Sequence, residues 1–119
     1  MVLVDTSVWV SHLRDGISEL GELLDAREVL CHQFIVGELA CGNLKNRTEI
    51  LSLLRLLPQA SSAHHAEVLR FIDVHHLMGR GLGYIDLHLA ASAILTGVSM
   101  WTFDKKLAGL NRELRISYK

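Results

Sequence analysis

The sequence predicts an α/β domain with a short, mainly parallel central sheet. Two short runs, at residues 2–4 and 99–102, predict strands, and the first (Val2-Leu3-Val4) is apolar and β-branched, as is typical of a strand buried on both faces. Longer segments with helical periodicity lie between such runs, and strands that alternate with helices form parallel sheets. With 119 residues, 50% of them hydrophobic, we expect one domain over residues 1–119 and no second core.

Each element is placed by its periodicity and its end signals. The predicted strands are residues 2–4, 28–31 and 99–102, and the predicted helices are 6–13, 17–26, 33–41, 45–57, 61–78, 85–95 and 104–110. Apolar residues recur along one stripe of these helices, as Ile17, Leu20 and Leu24 do in the second. Gly42 ends the third helix and Pro58 lies just past the fourth. Residues 79–83 form a glycine-rich loop.

Composition narrows the class of protein. The longest apolar stretches are far shorter than the ~20 residues of a membrane span, and residues 1–5 lack the features of a signal peptide. We therefore expect a cytoplasmic protein with no membrane partner. The net charge of −1 does not indicate a nucleic-acid binder. If four of the 13 acids are held in a metal pocket, however, the remaining surface is more basic than the total suggests.

Cysteine and histidine patterns do not indicate a zinc site. Cys31 and Cys41 lack C-x-x-C spacing and lie in apolar surroundings, so we expect a reduced, buried pair. The adjacent pairs 64–65 and 75–76 contain four of the seven histidines, but neighbours on a helix point about 100° apart. We expect surface or half-buried histidines, and we assign His88 no catalytic role.

Four acids stand where an α/β domain gathers functional groups. Asp5 and Asp104 follow predicted strands, and helix capping explains each of them equally well. Asp86 begins a predicted helix, where the macrodipole also favours a carboxylate. Glu38 lies mid-helix among apolar residues, and a buried carboxylate needs either a cation or a salt bridge. Because Mg²⁺ prefers carboxylate oxygens, the four acids together predict a divalent-metal site beyond the strand ends.

Four segments, in this order, carry a family resemblance. They are VLVDTSVW from Val2, IVGELA from Ile35, GRGLGYIDLHLAASA from Gly79 and WTFDKKL from Trp101. With them the chain resembles the PIN-domain family, specifically the VapC-type toxins of bacterial and archaeal toxin–antitoxin pairs, from residue 2 to about residue 107. The resemblance implies a PIN fold, which is a three-layer α/β/α sandwich.

The resemblance also implies a function. The expected protein is the toxin of a type II toxin–antitoxin pair, an endoribonuclease that hydrolyses RNA phosphodiester bonds with Mg²⁺ or Mn²⁺. It implies a homodimer that a VapB-like antitoxin holds inactive in a larger complex. An antitoxin arginine at the acids, and a partner helix on the apolar segments 20–24 and 50–57, are the expected means of inhibition.

Carried over residue by residue, the family's acidic positions fall on Asp5, Glu38, Asp86 and Asp104. The resemblance places metal most directly on Asp5 and Asp86. Glu38 and Asp104 would hold a second ion or orient water and the other ligands. The hydroxyl of Thr102 is a weaker candidate for a supporting contact, because a strand residue explains it as well.

Four basic residues are candidates for RNA phosphate contacts: Arg80, Lys105, Lys106 and Arg14. A solvated surface charge is the alternative interpretation of each. The loop that contains Arg80 lacks the G-x-x-x-x-G-K pattern, so we exclude a nucleotide-binding P-loop.

Two other functions are alternatives to the nuclease. A phosphoacceptor receiver domain needs an acid pair near the N-terminus and a lone Asp at a mid-chain strand end. This chain has only Asp5 near its start, and residues 51–59 contain no acid. The stronger alternative is a non-enzymatic PIN-like module that binds RNA or protein. It predicts no metal dependence and tolerance of Glu38→Gln.

Overall fold

A computed structural model describes residues 1–119 as three strands and seven helices. The elements are β1 (Val2–Val4), α1 (Thr6–Asp15), α2 (Ser18–Asp25), β2 (Val29–Leu30), α3 (Gln33–Ala40), α4 (Arg47–Leu56), α5 (His65–His75), α6 (Tyr84–Thr96), β3 (Ser99–Trp101) and α7 (Lys105–Glu113). Every predicted strand and helix is present. No helix is both long enough and apolar enough to cross a membrane.

The three strands form one parallel sheet with β1 in the centre, in the order β2-β1-β3. Val2 pairs with Val29 on one side and with Ser99 on the other. Successive side chains of a strand point to opposite faces, and all three residues of β1 are buried. Both faces of the sheet are therefore covered, which confirms the predicted α/β fold with a short parallel sheet between helical layers.

The register of β1 against β3 decides where the acids emerge. Val4 is paired with Trp101, and the N–H of Asp5 donates to the Trp101 carbonyl at 2.9 Å. The two strands therefore end at the same level of the sheet. Because they are parallel, the residues that follow each of them leave from the same edge.

Helix boundaries differ from the prediction most in α5, which begins at residue 65 and not at 61. The preceding segment is held extended because the N–H of Ala63 donates to the Ser92 hydroxyl of α6 at 3.1 Å. The helix begins where the Glu67 carboxylate accepts from the N–H of His64 at 2.9 Å. Smaller differences are the later start of α4 and the later end of α7.

Two expectations about burial are wrong. Cys31 is buried and free, but Cys41, which we expected to be buried with it, is exposed at the end of α3. His32 and His88, which we expected at or near the surface, are only 1% and 3% exposed. Both corrections have the same cause, since side-chain burial depends on which elements pack together and not on local composition.

Candidate metal centre

Asp5 is buried, with 5% of its surface exposed, at the point where β1 ends. Its backbone occupies the N-cap position of α1, yet its side chain makes no capping hydrogen bond. Oδ2 instead accepts from the Ser7 hydroxyl at 2.8 Å and from the Thr102 hydroxyl at 2.7 Å. The helix-cap explanation of this carboxylate is therefore excluded. The second oxygen, Oδ1, accepts no hydrogen bond from the protein.

Ser7 and Thr102 join the ends of β1 and β3 around this carboxylate. The Ser7 oxygen also accepts from the N–H of Phe103 at 3.0 Å, and the Thr102 oxygen accepts from the N–H of Asp104 at 3.0 Å. Thr102, a weak candidate from the sequence, thus contacts Asp5 directly. Ser7 was not predicted as a site residue. Its position two residues after Asp5 was the available signal.

Asp86 lies in the first turn of α6, where its Oδ2 accepts from the N–H of Gly83 at 3.3 Å. Burial raises the pKa of the Asp86 carboxyl above its usual value, and the Gly83 hydrogen bond opposes that rise. The charges of Asp5, Asp104 and Glu38 raise the pKa further. Asp5, Asp104 and Glu38 therefore lie within electrostatic reach of Asp86, although the four acids come from four separate segments.

Glu38 is exposed, so the expectation of a buried, unpaired carboxylate is wrong. Its helix neighbour Leu39 and Ile35 face the core, while Glu38 projects outward, since successive residues of a helix point about 100° apart. The Thr6 hydroxyl donates to Glu38 Oε1 at 2.7 Å. This bond joins α3 to the first turn of α1, directly after Asp5.

Asp104 does cap a helix. Its Oδ1 accepts from the N–H of Leu107 at 2.9 Å, in the first turn of α7. The capping explanation therefore accounts for one carboxylate oxygen. The other oxygen accepts no hydrogen bond from the protein and belongs to an exposed side chain.

The donor set fits a hard divalent cation. Burial is the main cause of the raised pKa of Asp86, and the charges of Asp5, Asp104 and Glu38 add to it. A cation of charge +2 would relieve the repulsion of Asp86 by these carboxylates. No group of three or more His, Cys, Asp or Glu side chains is arranged to hold one ion together. Mg²⁺ commonly takes one or two carboxylates together with water and substrate phosphate, so Asp5 and Asp86 match its requirement.

The two arginine candidates for RNA contacts are engaged by acids. Both terminal nitrogens of Arg80 donate to the Glu113 carboxylate, at 3.0 and 2.7 Å. Arg14 donates to its neighbour Asp15 at 2.8 Å. Both pairs are exposed, and a phosphate would have to compete with a carboxylate for either guanidinium.

The two lysine candidates stand at the start of α7, directly after Asp104. Both are exposed, and neither makes a salt bridge. The Lys106 side chain lies against Gly81, which has a φ of +75°, in the space that a Cβ atom would fill. Lys106 therefore bridges α7 and the loop that leads to Asp86.

A buried histidine links the two helices that carry Glu38 and Asp86. The Nδ1 atom of His32 accepts from the N–H of Phe34 and caps α3, and its Nε2 atom lies 3.1 Å from the Ser92 hydroxyl of α6. Burial, and next the neighbouring His88, lower the pKa of His32 to about 4. The sequence contained no signal for this contact between distant segments.

Comparisons with known proteins agree with this architecture. The family model of the PIN domain matches residues 2–113. Ribonuclease VapC32 of Mycobacterium tuberculosis, strains CDC 1551 / Oshkosh and ATCC 25618 / H37Rv, is 46% identical over 108 residues, which are 90% of this chain and 87% of the relative. The crystal structure of PAE2754 from Pyrobaculum aerophilum superposes with a TM-score of 0.61 at 19% identity, over 91% of this chain and 77% of that one. The chain belongs to the PIN-domain family.

Proposed function

We propose that this chain, as a single PIN domain, is the toxin of a type II toxin–antitoxin pair and hydrolyses RNA phosphodiester bonds with Mg²⁺ or Mn²⁺. The observation that carries the proposal is the buried Asp5 carboxylate, which the hydroxyls of Ser7 and Thr102 hold through Oδ2 while Oδ1 accepts no hydrogen bond from the protein. A carboxylate that served only as a helix cap would bond to the backbone of α1, and this one does not. The 46% identity to proteins named as ribonucleases supports the same activity.

The residues of the site have distinct roles in this proposal. Asp5 and Asp86 would hold the cation, and the hydroxyls of Ser7 and Thr102 fix the Asp5 carboxylate through one oxygen. Glu38 and Asp104 would hold a second ion or orient water at the phosphate. When bound, the cation lowers the pKa of its water and stabilises charge on the phosphoryl oxygens.

The partners follow from the same proposal. The substrate is RNA, and a VapB-like antitoxin in the cytoplasm would restrain the toxin, which would form a homodimer within the larger complex. Of the two segments expected to bind a partner helix, residues 20–24 in α2 do not suit this role, because Leu20 is fully buried. On α4, by contrast, Leu53 and Leu56 are 53% and 81% exposed, and α4 packs on the helix that carries Glu38.

The test is cleavage of transfer, ribosomal and messenger RNA by the purified chain with Mg²⁺, Mn²⁺ or EDTA. We expect cleavage with either metal and none with EDTA. Cleavage that is equally fast in EDTA would refute the metal-dependent mechanism. Failure to cut any RNA class with Mn²⁺ would instead favour the non-enzymatic PIN-like module.

A further inference from the structure

Residues 115–119, which we call the strap, lie at the outer edge of the sheet, beside β3. The N–H of Met100 donates to the Ile116 carbonyl at 2.7 Å, and the N–H of Tyr118 donates to the Met100 carbonyl at 3.0 Å. Met100 and Ser117 form one isolated parallel bridge. β1, by contrast, pairs with β3 over three residues. The strap is therefore attached to β3 more sparsely than β1 is.

The polar side-chain contacts of the strap converge on one residue of α2. The Tyr118 hydroxyl donates to Glu19 Oε2 at 2.7 Å, and the Lys119 ammonium donates to Glu19 Oε1. The Tyr118 ring also packs on Trp101, with centroids 5.2 Å apart. The side chains of Glu19 and Lys119 are 32% and 62% exposed, and ion pairs in contact with water contribute little to stability. A single carboxylate thus holds both Tyr118 and Lys119.

Asn111 of α7, which lies next to the strap, is buried without partners. It is 1% exposed, and neither its amide nitrogen nor its amide oxygen makes a hydrogen bond within the protein. Its backbone carbonyl accepts from the N–H of Ile116 at 2.9 Å. Asn111 lines a cavity of about 120 Å³ together with Thr102, Ser117 and Lys119. Burial of an amide without partners costs free energy, and departure of the strap would return water to it.

The chain enters the strap in a strained backbone conformation. Arg115 directly follows Leu114, the residue that caps the end of α7, and has a φ of 59°. In this left-handed region the Cβ atom of a residue other than glycine is too close to the following carbonyl oxygen. A change of φ at Arg115 relieves that strain and moves the strap away from β3. Arg115 is therefore a suitable hinge.

The part of β3 that the strap contacts adjoins the supports of Asp5. Met100, which bonds to the strap, directly precedes Trp101, whose carbonyl accepts from the N–H of Asp5 at 2.9 Å. The next residue, Thr102, donates its hydroxyl to the Asp5 carboxylate at 2.7 Å. When the strap leaves, β3 loses its outer neighbour and keeps only β1. The strand that positions Asp5 is then less restrained.

We propose that residues 115–119 open about Arg115 as a local unit latched by Glu19, and that the closed strap holds β3 where it presents Asp5 to a metal ion. The buried amide of Asn111 and the strain at Arg115 favour the open state, whereas Glu19 and the two backbone bonds to Met100 favour the closed one. The support of Asp5 rests on the proposed function, but the opening of the strap does not.

Hydrogen exchange of backbone amides, followed by NMR on the whole chain, measures the opening. The amides of Met100 and Tyr118 report on the strap, and the amide of Asp5, which donates to Trp101, reports on the centre of the sheet. After correction for intrinsic rates, the strap amides should exchange at least about 10 times faster than the Asp5 amide, because local opening needs less free energy than global unfolding. Equal protection of all three amides would overturn the proposal.

Ile35→Val separates local opening from global unfolding. Ile35 is fully buried in α3, which packs on α1 and α4 and not on the strap. Loss of one buried methyl group destabilises the whole fold and should accelerate exchange of the Asp5 amide roughly 2- to 10-fold. The strap amides should keep their rates, because local opening leaves α3 intact. Equal acceleration of the strap amides would show that the strap opens only with the whole domain.

Glu19→Ala tests the latch. It removes both carboxylate oxygens that Tyr118 and Lys119 use, so exchange of the strap amides should accelerate roughly 3- to 30-fold. Asp25→Ala, which removes an exposed acid of the same helix, is the matched control and should change no rate. Strap amides that exchange in Glu19→Ala as they do in the wild type would rule out Glu19 as the latch.

Asn111→Leu tests the group that favours opening. Leucine has a similar shape and needs no hydrogen bond, so the closed state gains stability and the strap amides should exchange roughly 3- to 30-fold more slowly. Thermal melting checks that the variant folds, and Glu19→Ala, a change at a partly exposed residue, decides the strap if it does not. Unchanged or faster exchange in a folded Asn111→Leu protein would exclude Asn111 from this role.

Mg²⁺ tests the link between the strap and Asp5. A ligand that needs the closed strap must in turn favour it, so saturating Mg²⁺ should slow exchange of the strap amides about 5-fold or more, and NaCl at equal ionic strength should not. If Mg²⁺ raises the melting temperature but leaves strap exchange unchanged, the closed strap does not support Asp5. If Mg²⁺ changes neither, the metal site of the proposed function fails and the link fails with it, while the wild-type exchange rates still decide the opening.

Discussion

The Thr102 hydroxyl donates a hydrogen bond to the Asp5 carboxylate at 2.7 Å, across 97 positions of the sequence. Hydrogen bonds to a charged acceptor are about twice as strong as neutral ones. This bond fixes the carboxylate at the level where β1 and β3 end. The bond therefore brings the residues that follow β1 and the residues that follow β3 together in one site.

Replacement of Asp5 by Asn should abolish RNA cleavage while the protein stays folded. The amide oxygen can still accept from Ser7 and Thr102, but the neutral side chain is a poor ligand for Mg²⁺. Cleavage assays and thermal melting measure the two effects. Glu22→Gln, a change of an exposed acid on α2, is the control and should cut normally. Cleavage by Asp5→Asn at near the native rate would contradict the metal assignment.

Replacement of Thr102 by Val should lower cleavage about 10- to 100-fold, which is the usual effect of removing a hydrogen bond that orients a metal ligand. The shape of the side chain is kept, but Asp5 and the N–H of Asp104 each lose a partner. Higher Mn²⁺ concentrations should recover part of the rate. Thr102→Ser should restore it, and Thr48→Val on the exposed face of α4 should have no effect. A native rate in Thr102→Val would show that the hydroxyl is dispensable.

Mn²⁺ should raise the melting temperature of the chain, because it binds the folded site and relieves repulsion among the carboxylates. Without metal, Asp86→Asn should melt above the wild type at neutral pH, since burial and three neighbouring acids disfavour the charged carboxyl. Its response to Mn²⁺ should be smaller, as should that of Glu38→Gln. The control is a monovalent salt at equal ionic strength. If Mn²⁺ leaves the melting temperature of the wild type unchanged, the site does not bind it.

Acid should destabilise the fold through His32. The folded pKa is about 4 and the ordinary value is 6.5, so the unfolded chain takes up the proton first. The stability that neutral His32 contributes is complete above pH 6.5 and is lost as the pH falls towards 4. Urea unfolding at about pH 7 and about pH 5 measures the loss.

A pair of asparagine variants isolates this effect. His32→Asn keeps an acceptor for the N–H of Phe34 but has no titrating ring, so it should be less stable at neutral pH and less sensitive to acid. His76→Asn is the matched control, because His76 is exposed at a φ of 53°, which asparagine tolerates. Equal acid sensitivity of His32→Asn and the wild type would remove His32 as the cause.

Replacement of Lys106 by Gln should weaken RNA binding across all sequences and reduce the slope of log affinity against log salt by roughly one. Lys106 is free of carboxylate partners and lies against the loop that leads to Asp86. Lys45→Gln, in the exposed segment before α4, is the control. A salt slope that Lys106→Gln does not change would place Lys106 outside the RNA path.

The order and type of the elements could be predicted from the sequence alone, and so could the four acids as candidates for the site. Buried strands are short and apolar because both faces are covered, and this pattern is local. Asp5 and Asp104 were found in the same way, because a carboxylate directly after such a strand is visible in the sequence. The family-like segments then connected these positions to Glu38 and Asp86.

The hydrogen bonds that hold those acids could not be predicted from the sequence, because they depend on the tertiary structure. The bonds from Ser7 and Thr102 to Asp5 and from Thr6 to Glu38 depend on strand register and helix packing between residues up to 97 positions apart. The exposure of Glu38 depends on which face of α3 meets the core. Local composition does not encode these relations, because each requires two distant segments to meet. The burial of His32 could not be predicted for the same reason.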